Sequence, residues 1–454
     1  MNRRFVTLIA AGAAIGGLLF GYDTSTMNAA IVGVRETLAL NSAAIGLIAA
    51  IALLGCAVGA WFAGPVSTRI GRRRVMLIAG ALLAAGAAGA AIGNAMLLIA
   101  PCRFLTGIGI GAASAVVPAY ITEISPAAIR GRLGSLWQLA IVSGQLLGLL
   151  AGFGIAAWAG SEAAAMPWGG AAWRWMFVVD GVLGAAYVAV ARALPNSPVD
   201  LIRQGRSNDA ASLLSKLGES DAAKRVATIE GQLQAAGTVA TLRDLRGPRL
   251  GLLGIVWIGV LLAAFQQLVG INVVKTYSNL LWQSVGFGTS TTFLFSILTI
   301  VISIVSTVVA ISLIDRVGRR TMLLAGAAVM AIALGALGYA FSATTGANDG
   351  PALGGRTAVT ALIAMNVFAI AFGITWGPVM WVMLSELFDS RLRTIAVAAC
   401  TALNWLTNWA VTRTFPLLAE HGLGIAYSIY GGFALLALLF VWKSLPETKG
   451  RALT

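Results

Sequence analysis

Gln266, Gln267 and Asn272 stand in a stretch that otherwise holds almost nothing polar: from Gly251 to Ala264 the only polar side-chain group is the indole of Trp257. A buried amide without partners costs about 2–7 kcal/mol, so these groups demand partners from protein, water or a ligand. On an ideal helix Gln266 and Gln267 point about 100° apart, and Asn272 about 120° from Gln266, so they make no single stripe. A break at Gly270, or a ligand enclosed by several helices, would let them converge. Gln138 and Gln145 form a second pair of amides. Seven residues apart, they lie about 20° from each other and about 10.5 Å apart along one helix, which presents two donor-acceptor groups to one cavity. Among ionisable side chains within apolar runs, away from the run ends, there are only Asp23, Arg103, Asp180 and Lys275. Such groups are expensive inside a bilayer and are functional candidates by default.

The elements that must hold these groups are membrane helices. The 454 residues are 58% hydrophobic and 11% charged, against about 25% charged in soluble chains. At about 20 apolar residues per span, twelve spans can be drawn, near 5–33, 43–64, 75–95, 97–121, 131–157, 172–194, 250–283, 289–314, 321–343, 357–385, 392–416 and 424–444. The start Met1-Asn2-Arg3-Arg4 looks like a signal peptide, but the apolar run continues to Tyr22-Asp23 and reads as an uncleaved first helix. The net charge of +14 comes largely from clusters after even-numbered spans: Arg69 and Arg72 to Arg74, Arg130 and Arg132, Arg316, Arg319 and Arg320, Arg391 and Arg393. This is the positive-inside pattern. It places both termini in the cytoplasm and explains the basic balance without a nucleic-acid partner. Cys56, Cys102 and Cys400 lie in apolar runs with no CxxC, so neither a disulfide framework nor a metal site is indicated. The single histidine, His421, falls in a short loop, and no nucleophile–base set suggests an enzyme.

The chain repeats itself. Arg69-Ile70-Gly71-Arg72-Arg73 is echoed by Arg316-Val317-Gly318-Arg319-Arg320, Glu123 and Arg130 by Glu386 and Arg393, and Leu194-Pro195 by Leu445-Pro446, always in the same order. The organisation is therefore an all-α polytopic membrane protein with twelve transmembrane helices in two parallel six-helix repeats. Its parts are an N-terminal bundle (1–194), a cytoplasmic helical linker (195–249, with helices near 208–217 and 222–233) and a C-terminal bundle with a short tail (250–454). Two such halves around a midplane site are transporter architecture. Gly55, Gly59, Gly107, Gly109 and Gly111 allow close helix approach. As a nucleotide loop, residues 107–111 lack both the GxGxxG spacing and a preceding strand.

Across nearly its whole length the sequence resembles the sugar porter family of the major facilitator superfamily. The matching stretches include Phe20-Gly21-Tyr22-Asp23, Gly71-Arg72-Arg73, Arg103 through Gly107, Pro118 through Glu123, Gln138 through Gln145, Gln266 through Asn272, Asp315 through Arg320, Gly377-Pro378, Ser385-Glu386 and Pro446 through Gly450. The resemblance implies a monosaccharide importer driven by proton symport and working by alternating access. It needs no cofactor beyond the proton and no metal, and it functions as a monomer in the cell (inner) membrane. Passive uniport, or a polyol or cyclitol substrate, is the nearest alternative, and a non-transporting sugar receptor is one of another class.

The resemblance also implies residue roles. Gln138, Gln145, Gln266, Gln267, Asn272 and Asn404 would meet the sugar hydroxyls, with Ile141 in the same site and Phe20, Trp381 and Trp405 offering apolar faces. Interhelical bonding among the amides, and an interfacial belt for the tryptophans, are the competing readings. Asp23, Arg103 and Asp180 would couple the proton: a charged Asp23 pairs with Arg103, and protonation removes that attraction and biases the conformational exchange. The simpler reading is a static ion pair. Arg72, Arg73, Glu123, Arg130, Asp315, Arg319, Arg320, Glu386 and Arg393 would form a cytoplasmic gating network, with salt bridges between the halves that close the inner face in the outward-open state. Gly377 and Pro378 would be a hinge. Four features depart from the family pattern: Thr68 for an aspartate, Pro195 through Asp200 for Pro-Glu-Ser-Pro-Arg, Ser303 where some relatives have asparagine, and Lys275-Thr276 where an apolar residue and a tyrosine are usual. Lys275 is expected to snorkel outward or pair in the outer vestibule.

Overall fold

The computed structural model describes residues 3–125, 130–219, 221–235, 242–248, 251–342, 345–347, 350–352, 355–388 and 392–448. Six long helices come first: α1 (Arg3–Thr37), α2 (Ser42–Ile70), α3 (Arg72–Ile92), α4 (Met96–Ile124), α5 (Arg130–Ala159) and α6 (Ala172–Ala193). Three short ones follow, α7 (Pro198–Arg203), α8 (Ser207–Leu217) and α9 (Ala222–Ala235), with a 3-10 turn at Leu242–Leu245. The second set is α10 (Gly254–Leu268), α11 (Ile271–Thr276), α12 (Ser278–Ser284), α13 (Thr289–Val317), α14 (Arg319–Ser342), α15 (Gly355–Ile374), α16 (Trp376–Leu387), α17 (Arg393–Glu420) and α18 (Leu423–Ser444). Between α14 and α15, Thr345–Ala347 pairs with Gly350–Ala352 as a small antiparallel ribbon, an addition to the all-helical expectation.

Among the described residues, eleven helical segments are long and apolar enough to cross a membrane. The twelfth expected span is α17, a helix of 28 residues. It falls outside that set, and it carries Thr401, Asn404, Thr407, Asn408, Thr412, Arg413 and Thr414 in about four turns. Its polarity belongs to the interior: Asn404, Asn408 and Thr412 are all buried.

Two spans are broken, each for a local reason. Gly270 separates α10 from α11 with φ +83°, a left-handed conformation that glycine adopts without penalty. A Cβ there would also come within 3.1 Å of the Tyr430 ring. The other break lies at Thr375 (φ −118°, ψ −84°), between α15 and α16. Pro378 has no N–H to offer the Ile374 carbonyl and its ring crowds that oxygen. The helix break expected from Gly377-Pro378 therefore falls just upstream, at Thr375, and those two residues sit in the first turn of α16, where a proline is tolerated.

The sequence repeat reappears in the packing. In the first half α1 packs on α5, α2 on α4, and α3 on both α4 and α6; in the second, α10 packs on α17, α13 on α15, and α14 on both α15 and α18. The α2–α4 contact is a glycine zipper: Cβ atoms on Gly55, Gly59, Gly107 and Gly111 would each fall within 2.2 Å of a carbonyl oxygen on the facing helix, so only glycine permits that separation. The halves meet symmetrically, α2 against α17 and α5 against α13. Among the described residues the larger apolar cluster is continuous between the halves. Met27, Ile31, Val34, Ile45 and Ile48 share a cluster with Tyr277, Trp282, Phe293 and Phe415. Toward the side bearing α7–α9, a second cluster is built from the first half with Trp405 of α17, and Leu201, Leu213, Leu214, Val226 and Ile229 of those short helices insert into it. The molecule is thus joined on the face opposite the linker helices.

Candidate functional site

The three amides of the broken span do converge, and Asn404 of α17 makes it possible. Asn404 Nδ2 donates to Gln266 Oε1 at 2.8 Å and to the Ala263 carbonyl at 2.9 Å. Gln267 Nε2 donates to Asn404 Oδ1 at 3.0 Å and to Gln266 Oε1 at 3.1 Å. Asn272, swung round by the turn at Gly270, donates to Gln267 Oε1 at 2.7 Å. Gln266 Nε2 continues the chain to the Trp376 carbonyl at 3.3 Å, at the break in the other interrupted span. Every amide here has a partner of the same kind, so hydroxyl groups of a ligand could exchange for them at small net cost; a single hydrogen bond contributes about 0.5–1.5 kcal/mol net. Phe20 of α1 meets Trp405 of α17 edge to face, with ring centroids 5.4 Å apart. Of the first-half candidates, Ile141 and Gln145 are buried, whereas Gln138 is half-buried and no hydrogen bond joins it to the amide network. Trp381 is also separate: it is 40% exposed, on the side of α16 turned away from the buried Val379, Met380 and Met383.

Asp23, Arg103 and Asp180 are brought together inside the first half. Both terminal nitrogens of Arg103 donate to the Asp23 carboxylate, Nη2 to Oδ2 at 3.1 Å, and the guanidinium lies 5.5 Å from the Phe177 ring centroid. All three side chains are buried. Asp180 couples electrostatically to both Asp23 and Arg103, while neither of its oxygens accepts a hydrogen bond from a described protein donor. Two carboxylates and one guanidinium carry a formal charge of −1 in a dry site, where an uncompensated charge costs several kcal/mol. One added proton brings the set to neutrality. A cavity of about 30 Å³, lined by Phe20, Asp23, Arg103, Asn272, Thr276 and Asn408, joins this cluster to the amides. It has room for no more than a water or two.

Lys275 does not snorkel outward. Its Nζ crosses to the first half and donates to Gln145 Oε1 at 3.3 Å. Two further polar bonds between the halves follow along the same segment. The Asn279 backbone N–H donates to Asn28 Oδ1 at 3.1 Å, and Gln283 Nε2 donates to Glu162 Oε1 at 3.2 Å. Asn28, Glu162, Asn279 and Gln283 were not legible as site residues, although the spacing 275, 279, 283 on one helical face was the available signal.

On the linker side the charged motifs pair within each half. Arg72 reaches Glu123 at 2.8 Å and Asp200 at 2.7 Å, and its backbone N–H donates to Asp200 at 2.6 Å. The Ser197 hydroxyl donates to Glu123. Arg319 clasps Glu386 at 2.9 and 3.2 Å, while the backbone N–H groups of Arg319 and Arg320 donate to Glu447 at 3.0 and 3.1 Å. Arg73 binds the carbonyls of Ala191 and Arg192, and Arg320 that of Trp442. Among the described residues these pairs lie inside each half. The reason is placement: α3 and α4 are packed neighbours, so the acid closest to each arginine belongs to its own bundle. The side chains of Arg130, Asp315 and Arg393 lie outside the described residues. Asp200 was missed in the sequence because its acid is displaced from the position that Glu447 holds in the second half, where Asn196 stands.

Two parallel six-helix bundles with polar clusters between and within them define a major facilitator transporter. The chain belongs to the sugar transporter family of that superfamily: the profile described as "Sugar (and other) transporter" matches residues 9–454. It is 41% identical over 455 residues to a glucose transport protein of Synechocystis, covering 100% of this chain and 97% of the relative. It is 33% identical to the D-xylose-proton symporter of Escherichia coli, covering 100% and 95%. The partially occluded inward-open structure of the xylose transporter from Escherichia coli superimposes with a TM-score of 0.84, at 33% identity, covering 99% of this chain and 100% of that one.

Proposed function

We propose that the protein imports a monosaccharide, a hexose or a pentose, by proton symport and alternating access. It works as a monomer in the cell (inner) membrane with both termini cytoplasmic, through bundles 1–194 and 250–454 and a cytoplasmic linker domain at 195–249. The sugar is held by Gln138, Ile141, Gln145, Gln266, Gln267, Asn272 and Asn404, against Phe20, Trp381 and Trp405. The observation that supports this most is the circuit of four amides beside a buried carboxylate pair that shares one arginine. Asp23, Arg103 and Asp180 take up and release the coupling proton, and the linker-side ion pairs stabilise one of the two alternating states. Exposed pairs contribute only about 0–1 kcal/mol, so the half-buried Arg72–Glu123–Asp200 and Arg319–Glu386 sets must act as networks. The buried Asp23–Arg103 pair also suits passive uniport with a static salt bridge, and uptake separates the two. In vesicles holding the purified protein, labelled glucose and xylose should accumulate when an inward proton gradient is imposed and merely equilibrate without one. Equal final levels in both conditions would mean uniport, and no entry of either sugar would reject sugar transport for these substrates.

A further inference from the structure

Resting on the sugar-transport reading, we propose that the site accepts monosaccharides bearing a carboxylate, a uronate or an aldonate, and that Lys275 is the residue that recognises that group. Lys275 lies on α11 three residues after Asn272, hence on the same helical face, and beside Thr276, which lines the small cavity with Asp23, Arg103 and Asn272. Its ammonium is directed to the oxygen of a buried amide, Gln145, at 3.3 Å. Among the described residues no carboxylate lies within ion-pair distance of it. Asp23 is committed to Arg103 and Asp180 lies beside that pair, while Glu162 receives Gln283, two turns further along the segment from Lys275. An ammonium has three donors, and an amide oxygen supplies only a dipole to offset the loss of water around it.

Charge counting points the same way. Asp23, Asp180 and Arg103 sum to −1; one coupling proton makes them neutral, while Lys275 remains a cation facing an amide oxygen. A neutral sugar leaves that +1 in place, whereas a monosaccharide carboxylate cancels it. The loaded site would then cross between its two states with no net charge, which is the cheapest form in a low dielectric. Gln145, released by the ammonium, becomes available to a ring hydroxyl.

The test uses the full chain in vesicles, with exchange of labelled D-glucose or D-xylose, whichever moves, competed by D-glucuronate, D-gluconate and the unlabelled neutral sugar. At least one acid should compete in the wild type in the same concentration range as the neutral sugar. Lys275→Met should lower the acid-to-neutral preference at least tenfold, and Lys275→Arg should retain it. Neutral exchange that neither acid inhibits in the wild type would overturn the proposal while leaving sugar transport standing. So would an unmoved preference in Lys275→Met, which would make Lys275 only a link between halves that affects both ligand classes alike. Exchange of no ligand at all would reject the transport reading and this inference together.

Discussion

The two polar clusters at membrane depth solve the same problem differently. In the first half three ionisable side chains share one site without enough counter-charge: Arg103 satisfies Asp23, and Asp180 is left without a described donor. In the second half Gln266, Gln267, Asn272 and Asn404 are neutral and satisfy one another. A charged cluster short of one proton responds strongly to proton uptake, because each change alters the net charge of a dry site. A closed circuit of amides is indifferent to protons but readily trades partners with hydroxyl groups. Under the proposed function, the contrast separates the source of coupling from the source of recognition, and substitutions on the two sides should fail in different ways.

The largest effect is expected from removing the shared cation. Arg103→Leu would leave two buried carboxylates facing each other, and breaking such a pair costs about 3–5 kcal/mol. Thermal unfolding in detergent should fall markedly, and Arg103→Leu combined with Asp23→Asn and Asp180→Asn should recover most of the loss. A single variant as stable as the wild type would mean that the cluster is not the tightly coupled site described here. Smaller is the expected stability change for Asn404→Ala, since interhelical hydrogen bonds in membranes average about 0.6 kcal/mol. Its effect should appear instead as weakened sugar exchange at low sugar concentration, with gradient dependence intact. Loss of gradient dependence in Asn404→Ala would blur the separation of the two clusters.

The smallest effect concerns the contacts on the joined face. Burial pushes the Glu162 carboxyl up from its ordinary value, opposed by the Gln283 hydrogen bond and reinforced by Glu36. A raised carboxyl favours the closed contact while it is protonated, so closure should strengthen as pH falls toward the carboxylate range and weaken as pH rises through the raised value. A cysteine at Leu280, in the groove beside Gln283, should be labelled more slowly at acidic pH once thiolate reactivity is corrected for, and Glu162→Gln should abolish that dependence.

Most of the architecture was legible in the sequence because each of its signals is local. Apolar runs of membrane length, the repeated Gly-Arg-Arg turns and Gly270 all act through their own neighbourhood. The glycines of α2 and α4 were readable as a close contact because nothing larger fits. The break at Thr375 was misplaced because the proline that causes it acts on a carbonyl four residues upstream. Asp200 was missed for a different reason: its role depends on a fold that returns the chain to the start of α3 after more than a hundred residues. The crossing of Lys275 to Gln145 likewise depends on how the halves are closed, which helix periodicity does not encode.

The separation of coupling from recognition is tested most directly by Asp23→Asn, assayed for gradient-driven accumulation and for sugar exchange at equal pH in the same vesicles. The expected result is loss of accumulation with exchange retained within a few-fold of the wild type. Undiminished accumulation, or equal loss of both activities in a protein that remains folded, would contradict it.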